Sequence, residues 1–222
     1  SQGRVDAHMV LAHADGTVWL DTERGARATG TRGEDQSLLD YLAAMRFWSK
    51  VAPRDATEEM AVLSLVGPGS DDVLAGIGVA VGRDAYAVAP ASGALLRRMP
   101  WPCADAVDLL VPRDALVDWW QRLAGAGARP MGSLGYEALR VESLRPRLGI
   151  DTDERTIPHE VNWVGSAAHV AKGCYRGQET VAKVHNIGRP PRRMLLLHLD
   201  GSPEALPETG DDVRAGDRVV GR

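Results

Sequence analysis

Apolar and polar residues alternate at the start of the chain, and the alternation breaks at Asp15-Gly16. An Asp-Gly pair between two alternating runs is typical of a β-hairpin, because both residues accept the positive φ angles of a tight turn. Apolar residues then recur every three or four positions over 37–46, which is the period of an α-helix. The pattern predicts a hairpin over residues 5–20, a loop over 26–35 and a short helix after it.

The middle of the chain alternates strand-like and helix-like runs. The longer helix-like run, 113–124, carries an apolar stripe that includes Trp119 and Trp120. The order strand, helix, strands, helix, strand resembles the split βαβ, or ferredoxin-like, unit. We therefore predict a ferredoxin-like subdomain over residues 46–129. The other runs are 60–65, 77–81, 85–88, 95–99, 107–111 and 129–131 for the strands and 70–75 for the second helix.

Two further helices and a strand are predicted after residue 130. Ser133 is a suitable N-cap for a helix that ends at Glu142. A loop over 145–158 separates this helix from another at 178–185. The apolar run 194–199 has the length of a strand, and an acidic, proline-containing loop follows it.

The composition excludes several classes of protein. The net charge is −4, which argues against a dedicated nucleic-acid-binding protein. Apolar runs stay well short of the ~20 residues that a membrane-spanning helix needs. The two cysteines, Cys103 and Cys174, show no CxxC spacing and are typical of a reduced protein. These features predict a cytoplasmic protein that contacts neither membranes nor nucleic acids directly.

The residues with the most reactive chemistry lie together at 172–179, in the order Lys-Gly-Cys-Tyr-Arg-Gly-Gln-Glu. Cys174 lies between two glycines just before a predicted helix, where free backbone N–H groups and the helix dipole favour an anion. Lys172 adds a positive charge, in a chain with three lysines and 23 arginines. Both features favour the thiolate form. Cys174 and Lys172 are therefore candidate catalytic residues, with a buried structural cysteine as the alternative.

A nucleophilic pair of Cys174 with His169 or His185, as in cysteine hydrolases, is a second hypothesis for this thiol. The chain carries no local signature of those hydrolases. His159 and Glu160 do not follow the H-E-x-x-H spacing of a zinc-binding helix, so no metal site is predicted.

The stretch 172–179 resembles the K-G-C-[FY]-x-G-Q-E signature of the YgfZ family at every specified position. YgfZ proteins are folate-binding relatives of the aminomethyltransferase, or T-protein, of the glycine cleavage system. Residues 140–160 are similar to the family run R-x-E…P-x-x-G-x-D…P-x-E, with Glu142 and Glu160 at its two glutamates. One difference is Leu144, where the family often has glycine.

The resemblance implies an α+β fold of the aminomethyltransferase/YgfZ type in three parts. A discontinuous folate-binding domain would comprise residues 1–45 and 130–190. The ferredoxin-like subdomain at 46–129 would be inserted between these two segments. Residues 191–222 would form part of a truncated C-terminal β-barrel.

The implied cofactor is tetrahydrofolate or another reduced folate. The pterin ring has adjacent N–H donors, which the carboxylate of Glu142 could accept in bidentate fashion, with Glu160 as the second candidate. Trp163 and Tyr175 could stack on the ring. The remaining candidates are Gln178 and Glu179 of the signature and, for an acidic polyglutamate tail, Arg145, Arg147, Arg189, Arg192 and Arg193.

The function implied by the resemblance is support of the assembly or repair of iron–sulfur clusters and of the enzymes that use them, including those of tRNA thiomethylation. The implied partners are folate and iron–sulfur proteins or their assembly machinery. Two alternatives remain open from the sequence. One is a tetrahydrofolate-dependent aminomethyltransferase, and the other is a non-catalytic scaffold in which the signature braces the fold.

Overall fold

The structure is a computed structural model that describes residues 3–30, 33–201 and 206–222. The predicted loops over 26–35 and after residue 199 therefore lie partly outside the described residues. In the described part of 26–35 the loop prediction is wrong, because Arg27–Thr29 form a strand that pairs with Asp35–Ser37. Within these ranges the chain begins with two β-hairpins, continues with a four-stranded sheet and its helices, and ends with two helices and a third hairpin.

The first hairpin consists of β1 (Met9–Ala14) and β2 (Thr17–Thr22), which pair antiparallel. Its turn residues Asp15 and Gly16 have φ angles of 49° and 73°, the positive values that this two-residue turn requires. The hairpin predicted from the Asp-Gly pair is thus confirmed. Ala12 on β1 is buried, so the hairpin has an inward face.

The second hairpin, β3 (Arg27–Thr29) and β4 (Asp35–Ser37), leads directly into helix α1 (Leu38–Met45). Ser37 caps this helix, since its Oγ accepts a hydrogen bond of 3.1 Å from the N–H of Asp40. The predicted short helix is confirmed.

A four-stranded antiparallel sheet follows, accompanied by two helices. Its elements are β5 (Met60–Leu65), α2 (Ser70–Gly76), β6 (Val88–Ala91), β7 (Ala94–Met99), β8 (Ala106–Pro112) and α3 (Leu116–Gly125). The strands lie in the order β5-β8-β7-β6, so the predicted strands at 60–65 and 107–111 pair directly. All of β7 and all but the last residue of β8 are buried, which is expected of strands covered on both faces.

The two faces of this sheet are buried by different elements. On one face, Leu96 and Leu109 share a single core with α2 and with Trp119 of α3. On the other face, Leu95 and Leu110 pack against the first hairpin. Neighbouring residues on a strand point to opposite faces, so both cores draw on the same two central strands.

A buried arginine joins the sheet to the first hairpin. Arg97 on β7 has no exposed surface, and its guanidinium binds Asp21 on β2 and Asp108 on β8. Asp108 also accepts a 2.7 Å hydrogen bond from Ser64 Oγ. Burial raises the pKa of the Asp108 carboxyl, and the hydrogen bonds from Ser64 and Arg97 oppose that rise. The guanidinium of Arg97 therefore has one carboxylate partner on the adjacent strand β8 and another on the first hairpin.

Residues 77–81, predicted as a strand, form no strand in the described structure. Their apolar side chains pack on the core that α2 and α3 share, as the alternating pattern requires. Arginine side chains satisfy the backbone in place of a neighbouring strand. Arg122 donates to the carbonyl of Ile77 at 3.2 Å, and Arg98 donates to that of Gly82 at 3.1 Å. The pattern therefore predicted burial correctly and pairing wrongly.

The predicted strands at 129–131 and 194–199 are also absent from the described residues. From β5 to α3 the order is strand, helix, three strands, helix, without the final strand of the prediction, and the ferredoxin-like subdomain stays a prediction. The C-terminal part contains a hairpin of β9 (Val213–Ala215) and β10 (Arg218–Gly221). The strands in the described ranges form no closed barrel.

Two helices, α4 (Ser133–Glu142) and α5 (Gln178–Ile187), lie after residue 130, where the sequence predicted them. Ser133 is the first helical residue of α4, however, and not its N-cap, which is Gly132. A long stretch without regular helix or strand joins them. Within the described ranges, none of the helices combines the length and the apolar character needed to cross a membrane.

The stretch between α4 and α5 contacts the first 30 residues of the chain. The N–H of Val5 donates to the carbonyl of Thr156 at 2.9 Å, and Arg147 forms an ion pair with Glu23. These contacts agree with a domain built from both segments. The division of the chain into three parts nevertheless stays a prediction.

We expect the Leu109→Ala variant to lose about 2–5 kcal/mol of unfolding free energy, because Leu109 is fully buried between the sheet and its helices. Val62→Ala on β5 is the matched control, since Val62 is 46% exposed; it should change the free energy by about 0.5 kcal/mol or less. Urea unfolding measures both values. Equal losses in the two variants would contradict this assignment of the core.

Candidate functional site

The signature residues 172–177 form a loop that leads into α5. Gly177 precedes the helix with a φ of 82°, a backbone conformation that other residues rarely adopt. The N–H of Gln178 donates to the carbonyl of Tyr175 at 3.2 Å, which closes the turn at the helix start. The predicted glycine-hinged loop before a helix is present, with Cys174 upstream of the first helical residue.

Cys174 is exposed, whereas Cys103 is partly buried. Lys172 is also exposed, and its ammonium lies 5.5 Å from the centre of the Tyr175 ring, a cation–π contact. The loop therefore presents a thiol to solvent beside a cation that an aromatic ring partly orients.

Trp163 and Tyr175, the two candidates for stacking on a cofactor, carry buried polar atoms without a partner among the described residues. Trp163 Nε1 and the Tyr175 hydroxyl are both buried, and neither forms a hydrogen bond with the described residues. Buried polar groups normally have partners, so each of these atoms could bond to a group from outside the chain.

The two candidate carboxylates have different surroundings. Glu160 is buried, and its two oxygens accept hydrogen bonds of 3.0 and 2.9 Å from the guanidinium of Arg192. The N–H of Ile157 donates a further bond of 3.2 Å to the same carboxylate. Glu142, the last residue of α4, is exposed, and its side chain forms no ion pair or hydrogen bond with the described residues. Glu142 is therefore the open carboxylate of the two.

The five arginines proposed for an acidic tail also divide into two groups. Arg147 and Arg192 each form ion pairs with two carboxylates, and Arg145 lies 5.3 Å above a tryptophan ring. Arg189 and Arg193 are exposed and have no ion pair in the described part of the chain. These two arginines follow α5 and remain available to a ligand.

Cys174 and His185 lie at opposite ends of α5. A helix rises about 1.5 Å per residue, so Gln178 and His185 are about 10 Å apart along its axis. The ring of His185 lies 6.0 Å from that of His159 instead, and burial with the neighbouring His185 lowers the pKa of His159. This geometry argues against a hydrolase-type pair of Cys174 and His185. At the helix start, Gln178 is partly buried and Glu179 is exposed.

The sequence analysis missed His8. Its ring stacks on that of Trp163 with a centroid distance of 4.4 Å and an angle of 4° between the planes. Burial lowers the pKa of His8, the charge of Arg145 adds to this, and Asp21 and Glu23 oppose it. No local motif marks His8, because its partner lies far away in sequence.

Two shallow grooves in the described part of the chain are lined by none of the predicted site residues. One, of about 350 Å³, lies between the turn of the first hairpin and the β6–β7 turn. The other, of about 420 Å³, lies between residues 4–6 and the second hairpin. Among the described residues, no group of three or more His, Cys, Asp or Glu side chains is placed to hold a metal ion.

Comparison with known proteins points to one class of enzyme. A chloroplastic protein of Arabidopsis thaliana named "putative transferase" is 27% identical over 204 residues, which cover 84% of this chain and 44% of the relative. The aminomethyltransferase of Stenotrophomonas maltophilia is 29% identical over 113 residues, or 46% of this chain and 30% of the relative. That of Methylococcus capsulatus is 30% identical over 132 residues, or 58% of this chain and 35% of the relative. This chain is similar to aminomethyltransferases.

The chain spans less than half the length of these relatives. No family model matches it. The similarity and the mixed architecture of helices and strands together support an aminomethyltransferase-like fold. The more specific resemblance to the YgfZ family stays a prediction.

We expect the Arg192→Met variant to lose about 1–3 kcal/mol of unfolding free energy, because it leaves the buried carboxylate of Glu160 without its main partner. Hydrogen bonds from Arg192 hold the pKa of the Asp153 carboxyl well below its ordinary value of about 4. This contribution is therefore complete above about pH 4 and declines as the pH falls from there towards the lowered pKa of the folded protein. The loss should therefore shrink in acid. Thermal and urea unfolding at pH 7 and pH 3 measure it.

The matched control is Arg193→Met, which removes an exposed guanidinium next in the chain. It should change the unfolding free energy by about 0.5 kcal/mol or less at both pH values. If the Arg192 and Arg193 variants are equally stable at pH 7, the Glu160 carboxylate does not depend on Arg192.

Proposed function

We propose that this protein binds a reduced folate and supports the assembly or repair of iron–sulfur clusters and of the enzymes that use them, including those of tRNA thiomethylation. The similarity to aminomethyltransferases supports the folate part, because an aminomethyl group is a one-carbon unit of the kind that tetrahydrofolate carries. An exposed thiol within a signature of the YgfZ type supports the iron–sulfur part.

The contrast between Glu142 and Glu160 carries the folate assignment. The carboxylate of Glu160 is engaged by Arg192 and a backbone N–H, whereas that of Glu142 is exposed and open. A carboxylate that accepts two parallel N–H bonds is a strong and directional partner for the edge of a pterin ring. Glu142 is therefore the residue that would hold the pterin, and Glu160 supports the loop that follows α4.

Other residues around the signature fit a heterocyclic cofactor with polar edges. Trp163 Nε1 and the Tyr175 hydroxyl are buried without a partner among the described residues, so a cofactor could satisfy them. Gln178 and Glu179 at the start of α5, and Arg189 after its end, complete the proposed contacts. When bound, tetrahydrofolate would supply a carrier for a one-carbon unit.

Cys174 is the group that we assign to the iron–sulfur role. Cysteine thiolates hold iron–sulfur clusters in proteins, and a complete set of ligands takes several of them. A single exposed cysteine would therefore act on a cluster or a cysteine of a partner protein.

Each part of the chain belongs to one of three proposed domains. Residues 1–45 and 130–190 would form the folate-binding domain, 46–129 a ferredoxin-like subdomain, and 191–222 part of a β-barrel. The protein would act in the cytoplasm, with iron–sulfur proteins or their assembly machinery as partners. Its net charge of −4 favours partner proteins over direct contact with nucleic acid.

A tetrahydrofolate-dependent aminomethyltransferase is the second candidate, because several relatives bear that name. An assay of the full-length protein with an aminomethyl-carrying protein and tetrahydrofolate separates the two. Turnover in this assay would mean that the protein is an aminomethyltransferase and would refute the iron–sulfur proposal. A protein that neither turns over nor binds a reduced folate would instead be a scaffold.

We expect the Glu142→Gln variant to bind a reduced folate about 10- to 100-fold more weakly, because a charge-assisted contact is worth roughly 1.5–3 kcal/mol. Its melting temperature should stay nearly unchanged, since Glu142 is exposed. Calorimetric titration with tetrahydrofolate measures the affinity. Glu58→Gln, which alters an exposed glutamate before β5, is the control and should bind like the wild type. Equal affinity in all three proteins would rule out Glu142 as the pterin anchor.

We expect the Cys174→Ser variant to fold normally and to fail to support iron–sulfur enzymes in cells that lack the native protein. The substitution nearly conserves volume at an exposed position, so loss of function would report the thiol itself. Cys103→Ser is the control and should complement. Lys172→Arg should be impaired, because a guanidinium does not replace a compact ammonium. Full complementation by Cys174→Ser would mean that the thiol is dispensable.

A further inference from the structure

Arg176 occupies the variable position of the signature, directly after Tyr175. Its Nη1 donates one hydrogen bond of 2.7 Å to the carbonyl of Thr29 and another of 2.9 Å to the carbonyl of Gly30. One nitrogen with two hydrogens thus binds two successive backbone carbonyls in a distant part of the chain. The signature loop is therefore tied to the end of β3.

The acceptors are well suited to fix a loop. Thr29 is the last residue of β3, and Gly30 is held by the second hairpin, because its N–H donates to the carbonyl of Glu34 at 2.7 Å. Backbone carbonyls at the end of a short strand need partners from outside the ladder. The guanidinium bonds to both carbonyls, and the carbonyl of Gly30 also accepts a 3.1 Å hydrogen bond from the N–H of Gly33. These backbone acceptors do not depend on side-chain rotamers.

A second contact brings the N-terminal segment against the same loop. Gly3 is buried and has a φ of 76°, and a Cβ atom at this position would lie 2.9 Å from Cβ of Thr180 and 3.2 Å from the carbonyl oxygen of Gly177. The backbone of residue 3 thus packs directly on the first turn of α5. Gly3 and the carbonyls that Arg176 binds thus all belong to the first 30 residues of the chain.

The part of the loop before Tyr175 is held less firmly than the part that follows. Lys172, Gly173 and Cys174 itself are exposed, and the loop before Tyr175 has no regular secondary structure. The position and the mobility of the Cys174 thiol therefore depend on the contacts that hold residues 175–177. Arg176 provides the hydrogen bonds there that reach another segment.

We propose that Arg176 is a positioning residue, which sets the placement of the Cys174 loop by binding the carbonyls at the end of β3. The proposal rests on the proposed function in one respect, namely that Cys174 is the functional thiol. It assigns a specific role to a position that the signature leaves variable. It also gives the second hairpin a role in the site, although none of the predicted site residues lies on it.

The test compares Arg176→Ala and Arg176→Lys with the wild type and with Lys183→Ala, which removes an exposed cation from α5, the helix that follows the loop. Iodoacetamide labelling at fixed pH, followed by mass spectrometry, gives the alkylation rates of Cys174 and of Cys103, the internal standard. Hydrogen exchange of the peptide that covers 172–181 gives the local mobility of the loop. Neither measurement needs a folate or a partner protein.

In Arg176→Ala we expect the Cys174 rate to change by at least about threefold and exchange in 172–181 to become faster, because the loop loses its anchor. The Cys103 rate should stay as in the wild type. In Arg176→Lys both the Cys174 rate and the exchange of 172–181 should lie between those of the wild type and of Arg176→Ala, since an ammonium can still donate to a carbonyl. Lys183→Ala should match the wild type.

Two outcomes would overturn the proposal. In one, the Cys174 rate and the exchange of 172–181 stay unchanged in Arg176→Ala. In the other, both cysteines change together in the alanine and lysine variants, because the contact then supports the whole fold and not the loop. If the wild type binds no folate, the proposed function is refuted, but the measured effect of Arg176 on the Cys174 loop still stands.

Discussion

The buried guanidinium of Arg97 is the interaction on which the arrangement of the sheet depends. It lies between the central strands and the first hairpin, with Asp108 on one side and Asp21 on the other. Loss of either carboxylate would leave a buried charge without its full set of partners, which is among the more costly changes in a protein. The hairpin therefore cannot leave the sheet without exposing Leu95 and Leu110 and separating that ion pair.

Arginine plays the same part in two segments that lack regular structure. The stretch between α4 and α5 is held by Arg140, Arg147 and Arg192, each of which binds two carboxylates. Arg98 and Arg122 satisfy carbonyls of residues 77–82 that have no strand beside them. A planar group with five donors suits these tasks better than an ammonium, which helps to explain 23 arginines beside three lysines.

The sequence predicted what local pattern controls, and it failed where distant partners decide. The Asp15-Gly16 turn and the apolar stripe of α3 follow from local chemistry, and both are present, although Trp119 of the stripe is buried and Trp120 is exposed. Residues 77–81 have the alternation of a strand, but alternation reports burial and not pairing. Likewise, two glutamates in one motif look equivalent until Arg192, far along the chain, engages Glu160. The stacking of His8 on Trp163 has no local sign at all.

The helix that follows the signature is fixed at both ends. Arg176 binds the end of β3 in front of it, and Arg192 binds Glu160 and Asp153 behind it. These contacts restrain the helix and keep the loop in front of it close to the rest of the protein. Whatever reacts with Cys174 therefore has to travel to the protein surface and fit around the thiol, so the shape of the partner, and not the reach of the loop, limits the encounter.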